Sequence, residues 1–237
     1  MRHVRLLVLA LLAVALWAAP AAAAHPPQHK DGGAVVAPID RIGGLTGGEL
    51  LAESWARSLT VSGEDPHIGG CVPVAGTVGR LVEPVLSPEG TAVCKVRQGT
   101  KIAIWPGSEC SNVEEPPFFG RDEAEQRACA IAVDQAIESI LVSVDGSPPV
   151  DIRDPRYELV SPQRRVQLPP GNVLGVDPQP ATFVAHSWAA VVRHPAPGRH
   201  TITVEIIGSE IAGTTTITVD VVPCGHGHHG PGDSRST

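Results

Sequence analysis

The stretch Pro197-Gly-Arg-His-Thr-Ile-Thr-Val-Glu-Ile-Ile-Gly-Ser-Glu-Ile-Ala-Gly-Thr-Thr-Thr-Ile-Thr-Val-Asp-Val-Val222 decides the fold class. Pro197-Gly198 is a turn dipeptide. After it, His200, Ile202, Val204 and Ile206 alternate with Thr201, Thr203 and Glu205. Ile217, Val219 and Val221 then alternate with Thr216, Thr218 and Asp220. A period of two places each apolar set on one face of a strand. Residues 207–213 join the two runs, so together they predict a long-looped hairpin. A Thr-rich strand pair of this kind, at the C-terminal edge, is how many immunoglobulin-like β-sandwiches finish.

Upstream runs agree. Thr182 to Arg193 is the longest alternating segment, with Val184, His186, Trp188, Ala190 and Val192 on one face. Ala92 to Val96, Lys101 to Trp105, Leu141 to Val144, Tyr157 to Val160 and Arg165 to Leu168 are short and β-prone. Asp145-Gly146 is a turn, and residues 108–121 read as a polar loop. Two helices interrupt the strands. Thr46-Gly-Gly-Glu49 is a capping box ahead of Leu51, Trp55 and Leu59, predicting a helix near 46–59, which Gly47 and Gly48 weaken. Asp122 and Glu125 open a second, near 122–140, with Cys129, Val133, Ala136 and Ile140 as its buried stripe. The expected fold is mainly β: an immunoglobulin-like or similar Greek-key sandwich with two short helices.

The N-terminus reads as a signal peptide. Arg2 and Arg5 precede an uncharged apolar run, Leu6 to Ala19, and Ala22-Ala23-Ala24 suits a signal peptidase. The run is too short for the ~20 residues a membrane-spanning helix needs. No later segment is long and apolar enough. The expected organisation is therefore a signal peptide over 1–24 and a flexible segment over 25–44. A single sandwich-type domain follows over 45–223, then a Gly/His-rich tail over 224–237. The protein is expected to be secreted, extracellular or in the cell envelope, with no membrane span after cleavage. Its residue usage, Arg over Lys with abundant Ala, Gly, Pro and Val, is that of a GC-rich bacterial genome.

Beyond residue 24 the chain carries 16 basic against 25 acidic residues, a net of −9. This argues against nucleic acid and anionic membranes as partners, since both select basic patches. The partner expected is an extracellular or envelope component whose identity the residues do not show. The five cysteines are Cys71, Cys94, Cys110, Cys129 and Cys224. Export makes disulfides their default chemistry. Among the 15 ways of forming two bonds, Cys71–Cys94 and Cys110–Cys129 close loops of modest length. Such a loop is worth ~3 kcal/mol in the chain-entropy account. Cys224 is left over.

In order, several short stretches resemble a group of exported bacterial proteins that carry no assigned activity. They are Glu53-Ser-Trp55, Asp65-Pro66, Gly70-Cys71, the segment from Val96 to Pro106, Ser108-Glu-Cys-Ser111, the Cys129 helix, Val144-Asp-Gly146 and Pro197-Gly-Arg-His-Thr-Ile202. The resemblance spans most of residues 50–205. It implies one domain and a secreted location, and it transfers no catalytic residue. One departure is plain: where that group carries Asp-Gly with aromatics before the last turn, this chain has His186-Ser187-Trp188.

Few constellations carry chemistry. Cys224, His226, His228 and His229 offer one thiolate and three imidazoles, a set that can hold Cu or Zn. The leading reading of this tail is nonetheless a compositionally biased segment without the ordered second shell that a metal site needs. No other cofactor is expected. The acids Glu109, Glu114, Glu115, Asp122, Glu123 and Glu125 lack the spacing of a calcium loop. Ser187 and His186 point to opposite faces of a strand, so they cannot pair as nucleophile and base, and no hydrolase motif occurs. No catalytic residue is assigned. Trp55, Trp105 and Trp188 read as core anchors, with a carbohydrate-stacking platform as the alternative. The function expected is a non-enzymatic extracellular binding or envelope module; the alternatives are metal binding through the tail and an unrecognised hydrolase.

Overall fold

In a computed structural model of the protein, the described residues are 34–193, 196–209 and 212–223. The elements are β1 (Val35–Pro38), α1 (Gly47–Thr60), β2 (Gly70–Pro73), β3 (Leu81–Val85), β4 (Thr91–Arg97), β5 (Lys101–Ile104), β6 (Gly107–Ser111) and α2 (Glu123–Asp134). They continue with β7 (Ile137–Val144), β8 (Val150–Asp151), a 3-10 turn at Pro155–Tyr157, β9 (Glu158–Val160), β10 (Arg164–Gln167), β11 (Pro180–Trp188), β12 (Ala190–Arg193), β13 (Gly198–Gly208) and β14 (Gly213–Val222). The fold is mainly β with two helices, as the periodicities predict.

The decisive hairpin forms in the expected register, with Ile202 opposite Ile217 and Val204 opposite Thr215. It is not a sheet edge, however. β14 is flanked on its other side by β4, in parallel, within a five-stranded sheet ordered β4-β14-β13-β7-β8. A second five-stranded sheet runs β1-β12-β5-β3-β2. One apolar cluster joins the two: Cys94, Ile140, Val142, Ile202, Ile217 and Val219 of the first sheet pack with Ile102, Ile104, Ala190 and Val192 of the second. The bond Cys71–Cys94 ties β2 to β4 across this seam, with Cα atoms 5.1 Å apart.

A third sheet, β10-β11-β6 with β9 also on β11, grows out of the second. Ile104 lies opposite Ala190, and Gly107 opposite Ser187. The β5–β6 and β12–β11 strand pairs are thus one antiparallel ladder, interrupted without a shift at Trp105-Pro106 and Ala189. Pro106 has no N–H to give to the ladder, and the N–H of Ala189 turns away to the carbonyl of Tyr157. The alternation predicted for 182–193 survives the break. Trp188, Ala190 and Val192 face the main core, whereas Ala189 and Val191 join Leu50 in a second cluster.

Three expectations need correcting. The 25–44 segment is expected to be flexible, yet within its described part Val35–Pro38 pairs with Ala190–Arg193 as an outer strand. The loop expected over 108–121 begins as strand β6, because Glu109 to Ser111 hydrogen-bond to β11. The helix expected over 122–140 ends at Asp134. Ile140, assigned to its stripe, instead lies fully buried in β7. The residues buried on α2 are Gln126, Ala130 and Asp134, a polar-flanked line at i, i+4, i+8 that an apolar-periodicity search passes over.

Helix α1 is where it was expected, with both halves of its capping box made. The backbone N–H of Thr46 donates to Glu49 Oε2 at 2.7 Å, and that of Glu49 to Thr46 Oγ1 at 3.3 Å. Gly48 lowers helix propensity but has a packing reason: a Cβ there would stand 2.6 Å from the carbonyl oxygen of Val160. The helix bridges two layers. Leu50 packs on the second sheet, Leu51 and Leu59 on the third beside Phe183 and Ala185. No helix among the described residues is long and apolar enough to cross a membrane.

Candidate functional site

Two arrangements of polar side chains stand out, one closed and one open. The closed one lies between α2, β6 and β11. Asp134 is fully buried. It accepts hydrogen bonds from the backbone N–H of Ser108 (3.2 Å) and its hydroxyl (2.6 Å), and it faces His186 Nδ1 at 2.6 Å. The other nitrogen of His186 faces Glu158 Oε1 at 3.2 Å. At the far end of the helix, Gln126 donates to Gly120 and Thr182 and accepts from Gln163. The bond Cys110–Cys129 clamps the middle, with Cα atoms 6.0 Å apart. Helix α2 is therefore docked by buried hydrogen bonds and a disulfide, where most surface helices are held by an apolar stripe.

This geometry bears directly on the Ser–His reading. Both ring nitrogens of His186 are occupied by carboxylate oxygens. The hydroxyl of Ser187 donates to the carbonyl of Pro106, and that of Ser108 to Asp134. No hydroxyl among the described residues is held against His186, as a nucleophile–base pair requires. His200 belongs to a different sheet, where it pairs with Asp145 at 2.7 Å and with the carbonyl of Ala196. His194 lies outside the described residues. So do Cys224, His226, His228 and His229, and with them the proposed tail site for Cu or Zn. Among the described residues no group of three or more His, Cys, Asp or Glu is placed to hold a metal ion.

Glu109, read from sequence as part of a solvated acidic loop, is almost wholly buried in β6. Burial, reinforced by Glu114 and Asp134 nearby, pushes its carboxyl up from an ordinary 4.5 to about 7. The consequence for stability has a definite sign. Below about pH 4.5 the group is protonated in folded and unfolded chains alike and costs nothing. As pH rises from there to about 7, only the unfolded chain releases its proton readily, so folding stability falls by up to about 3 kcal/mol and then levels off. Glu109→Gln is expected to match wild type at pH 4 and exceed its urea-unfolding free energy at pH 8. Equal stability at both pH values would show that Glu109 is not held against ionisation.

The open arrangement is a cleft of about 520 Å3 bounded by α1, the loop that follows it, and β3. Trp55 of α1 and Trp105, at the break between β5 and β6, both line it. They are partly buried, whereas Trp188 is fully inside the core under the guanidinium of Arg153, 3.8 Å from the ring centroid. The three tryptophans grouped from sequence thus divide, one to the core and two to a cleft wall. Ile68, Leu86 and Val173 add exposed apolar surface to the rim. A second concavity of about 300 Å3 shares Trp105, Pro84 and Leu86 with the first.

The deepest polar group of the larger cleft is Glu83, only 4% exposed. Ser54 of α1 donates its hydroxyl to the Glu83 carboxylate. Burial is the main cause holding the Glu83 carboxyl above its usual range, partly offset by that hydrogen bond and by the charge of Arg57. Arg57 in turn pairs with Asp65 at 2.5 Å. Sequence reading passed over Glu83 because it sits in Leu81–Val85 between apolar neighbours and a proline, where no periodicity marks an acid as inward. The one available signal was that a carboxylate in so apolar a run has to face either solvent or a cavity.

No family model matches the chain, and no curated protein matches it. Among solved structures, one titled "Solution Structure of Amebosin" is similar over 67% of this chain and the whole of that one, with 10% sequence identity and a TM-score of 0.24. A superposition that loose carries no argument about fold or activity.

Proposed function

We propose that this is an exported, non-enzymatic binding module of the extracellular space or cell envelope, and that it takes a small ligand in the cleft between α1 and β3. The observation that carries the reading is the composition of that cleft: two tryptophans and aliphatic side chains around one buried carboxyl. Ligand sites are concave and mostly apolar, with a few placed polar groups. By contrast, the polar cluster around His186 is satisfied within itself and leaves nothing aimed at a substrate. Export is supported by the leader-like N-terminus, by the two disulfides, which persist in oxidising compartments, and by the resemblance to exported bacterial proteins.

The test uses the tryptophans as reporters. Two of the three beyond the leader line the cleft, so excitation at their absorption edge follows occupancy while small molecules are screened. A molecule that perturbs the emission is expected to lose about tenfold or more in affinity on Trp55→Ala, consistent with an aromatic anchor. Unchanged affinity in both Trp55→Ala and Trp105→Ala would move the site elsewhere.

A further inference from the structure

We infer that the cleft between α1 and β3 selects ligands bearing an organic ammonium group, with Glu83 as its counter-ion; the inference rests on the binding reading above. The ionisable groups in the wall are Arg57 of α1, Glu64 and Asp65 of the loop after it, and Glu83 of β3. That is three carboxylates against one guanidinium, and the guanidinium is engaged by Asp65. His67, beside Asp65, donates its backbone N–H to that carboxylate. The cleft is therefore electronegative, and its most sheltered charge is Glu83.

The aromatic walls point the same way. Trp55 and Trp105 both line the cleft, and the π face of a tryptophan attracts a desolvated cation. An isolated carboxylate away from water is costly, and an opposite charge brought beside it removes that cost. Glu83 has one hydroxyl donor, from Ser54, and the Trp105 side chain also acts to hold its carboxyl down. Neither brings a positive charge, and the one that reaches Glu83, from Arg57, is ion-paired with Asp65. An ammonium-bearing ligand adds a charge of Glu83's own and turns a buried acid from a destabilising feature into a recognition element. The remaining volume, continuous in its lining with the second concavity through Trp105 and Leu86, accommodates an apolar body.

The probes are 4-phenylbutylamine, a cation at neutral pH, and its neutral analogue 4-phenyl-1-butanol, each titrated into the full chain by calorimetry and tryptophan emission. The amine is expected to bind about tenfold or more tighter than the alcohol at pH 8, as a buried charge pair at an interface does. That preference should collapse towards unity in Glu83→Gln. Wild type alone gives an independent check: the preference must shrink as pH falls and Glu83 takes up a proton, whereas emission changes caused by Arg57 would not follow that course. Equal binding of amine and alcohol, or a preference that survives in Glu83→Gln and at low pH, overturns the cation inference and leaves the cleft reading intact. Failure of both probes to bind overturns the two together.

Discussion

Replacing Gly107 by alanine is expected to destabilise the protein by ~3 kcal/mol or more, the upper end for overpacking a core. Gly107 begins β6 just past the break at Trp105-Pro106, where the long strand pair bends from one sheet into another. A Cβ at 107 would lie 2.1 Å from the carbonyl oxygen of His186 and 2.7 Å from the Cα of Ser187. Both are backbone atoms of β11, so no side-chain rotamer relieves the overlap; the strands themselves must part. Parting them displaces His186 from Asp134 and Ser187 from Pro106. The control is Gly213→Ala, where the added Cβ meets nothing within 4 Å. That change is expected to alter stability by no more than about 0.5 kcal/mol. Urea unfolding of both variants decides it: a Gly107→Ala protein within 1 kcal/mol of wild type, about the mean for any substitution, would mean the bend yields easily.

Asp134→Ala is expected to cost about 3–5 kcal/mol. Three donors or partners converge on this fully buried carboxylate: the Ser108 N–H, the Ser108 hydroxyl and His186 Nδ1. Truncation removes both Ser108 bonds and leaves the fully buried His186 Nδ1 unpaired, and removing one partner of a buried charged network costs more than the network's net contribution. Asp134→Asn should fall between wild type and alanine, since the amide oxygen still accepts but its NH2 confronts donors. The effect read is stability: Asp134 is not in the wall of the cleft between α1 and β3, although it does line the adjoining second concavity. A variant that keeps its stability would show that the Gln126 hydrogen bonds and the Cys110–Cys129 bond suffice to hold α2.

The two sites differ in how far they were legible beforehand. Loop length favoured Cys110–Cys129 among the 15 possible arrangements, and the bond is found in the structure. Helix α2 around it departs from the expected apolar stripe, because its buried line is Gln126, Ala130 and Asp134. Polar residues carry no inward mark in a sequence; they become interior only when another segment supplies their hydrogen bonds, here β6 and β11. The same reason hid Glu109 and Glu83. Both sit in strands short enough that one acid does not disturb the pattern.

What the sequence determined by itself is local. Alternation set the strands of the C-terminal hairpin and of 182–193, and the Thr46–Glu49 box set the start of α1. Each of these depends on residues a few positions apart, so period and propensity suffice. What only the tertiary structure decided is which strands become neighbours and what their approach encloses. β4 covers β14 in parallel, one ladder bends at Pro106 to serve two sheets, and Trp55, Trp105 and Glu83, from three separate elements, meet around one cleft. Such juxtapositions join residues tens of positions apart, and they are fixed by the packing of whole faces against each other, a quantity no window of sequence contains.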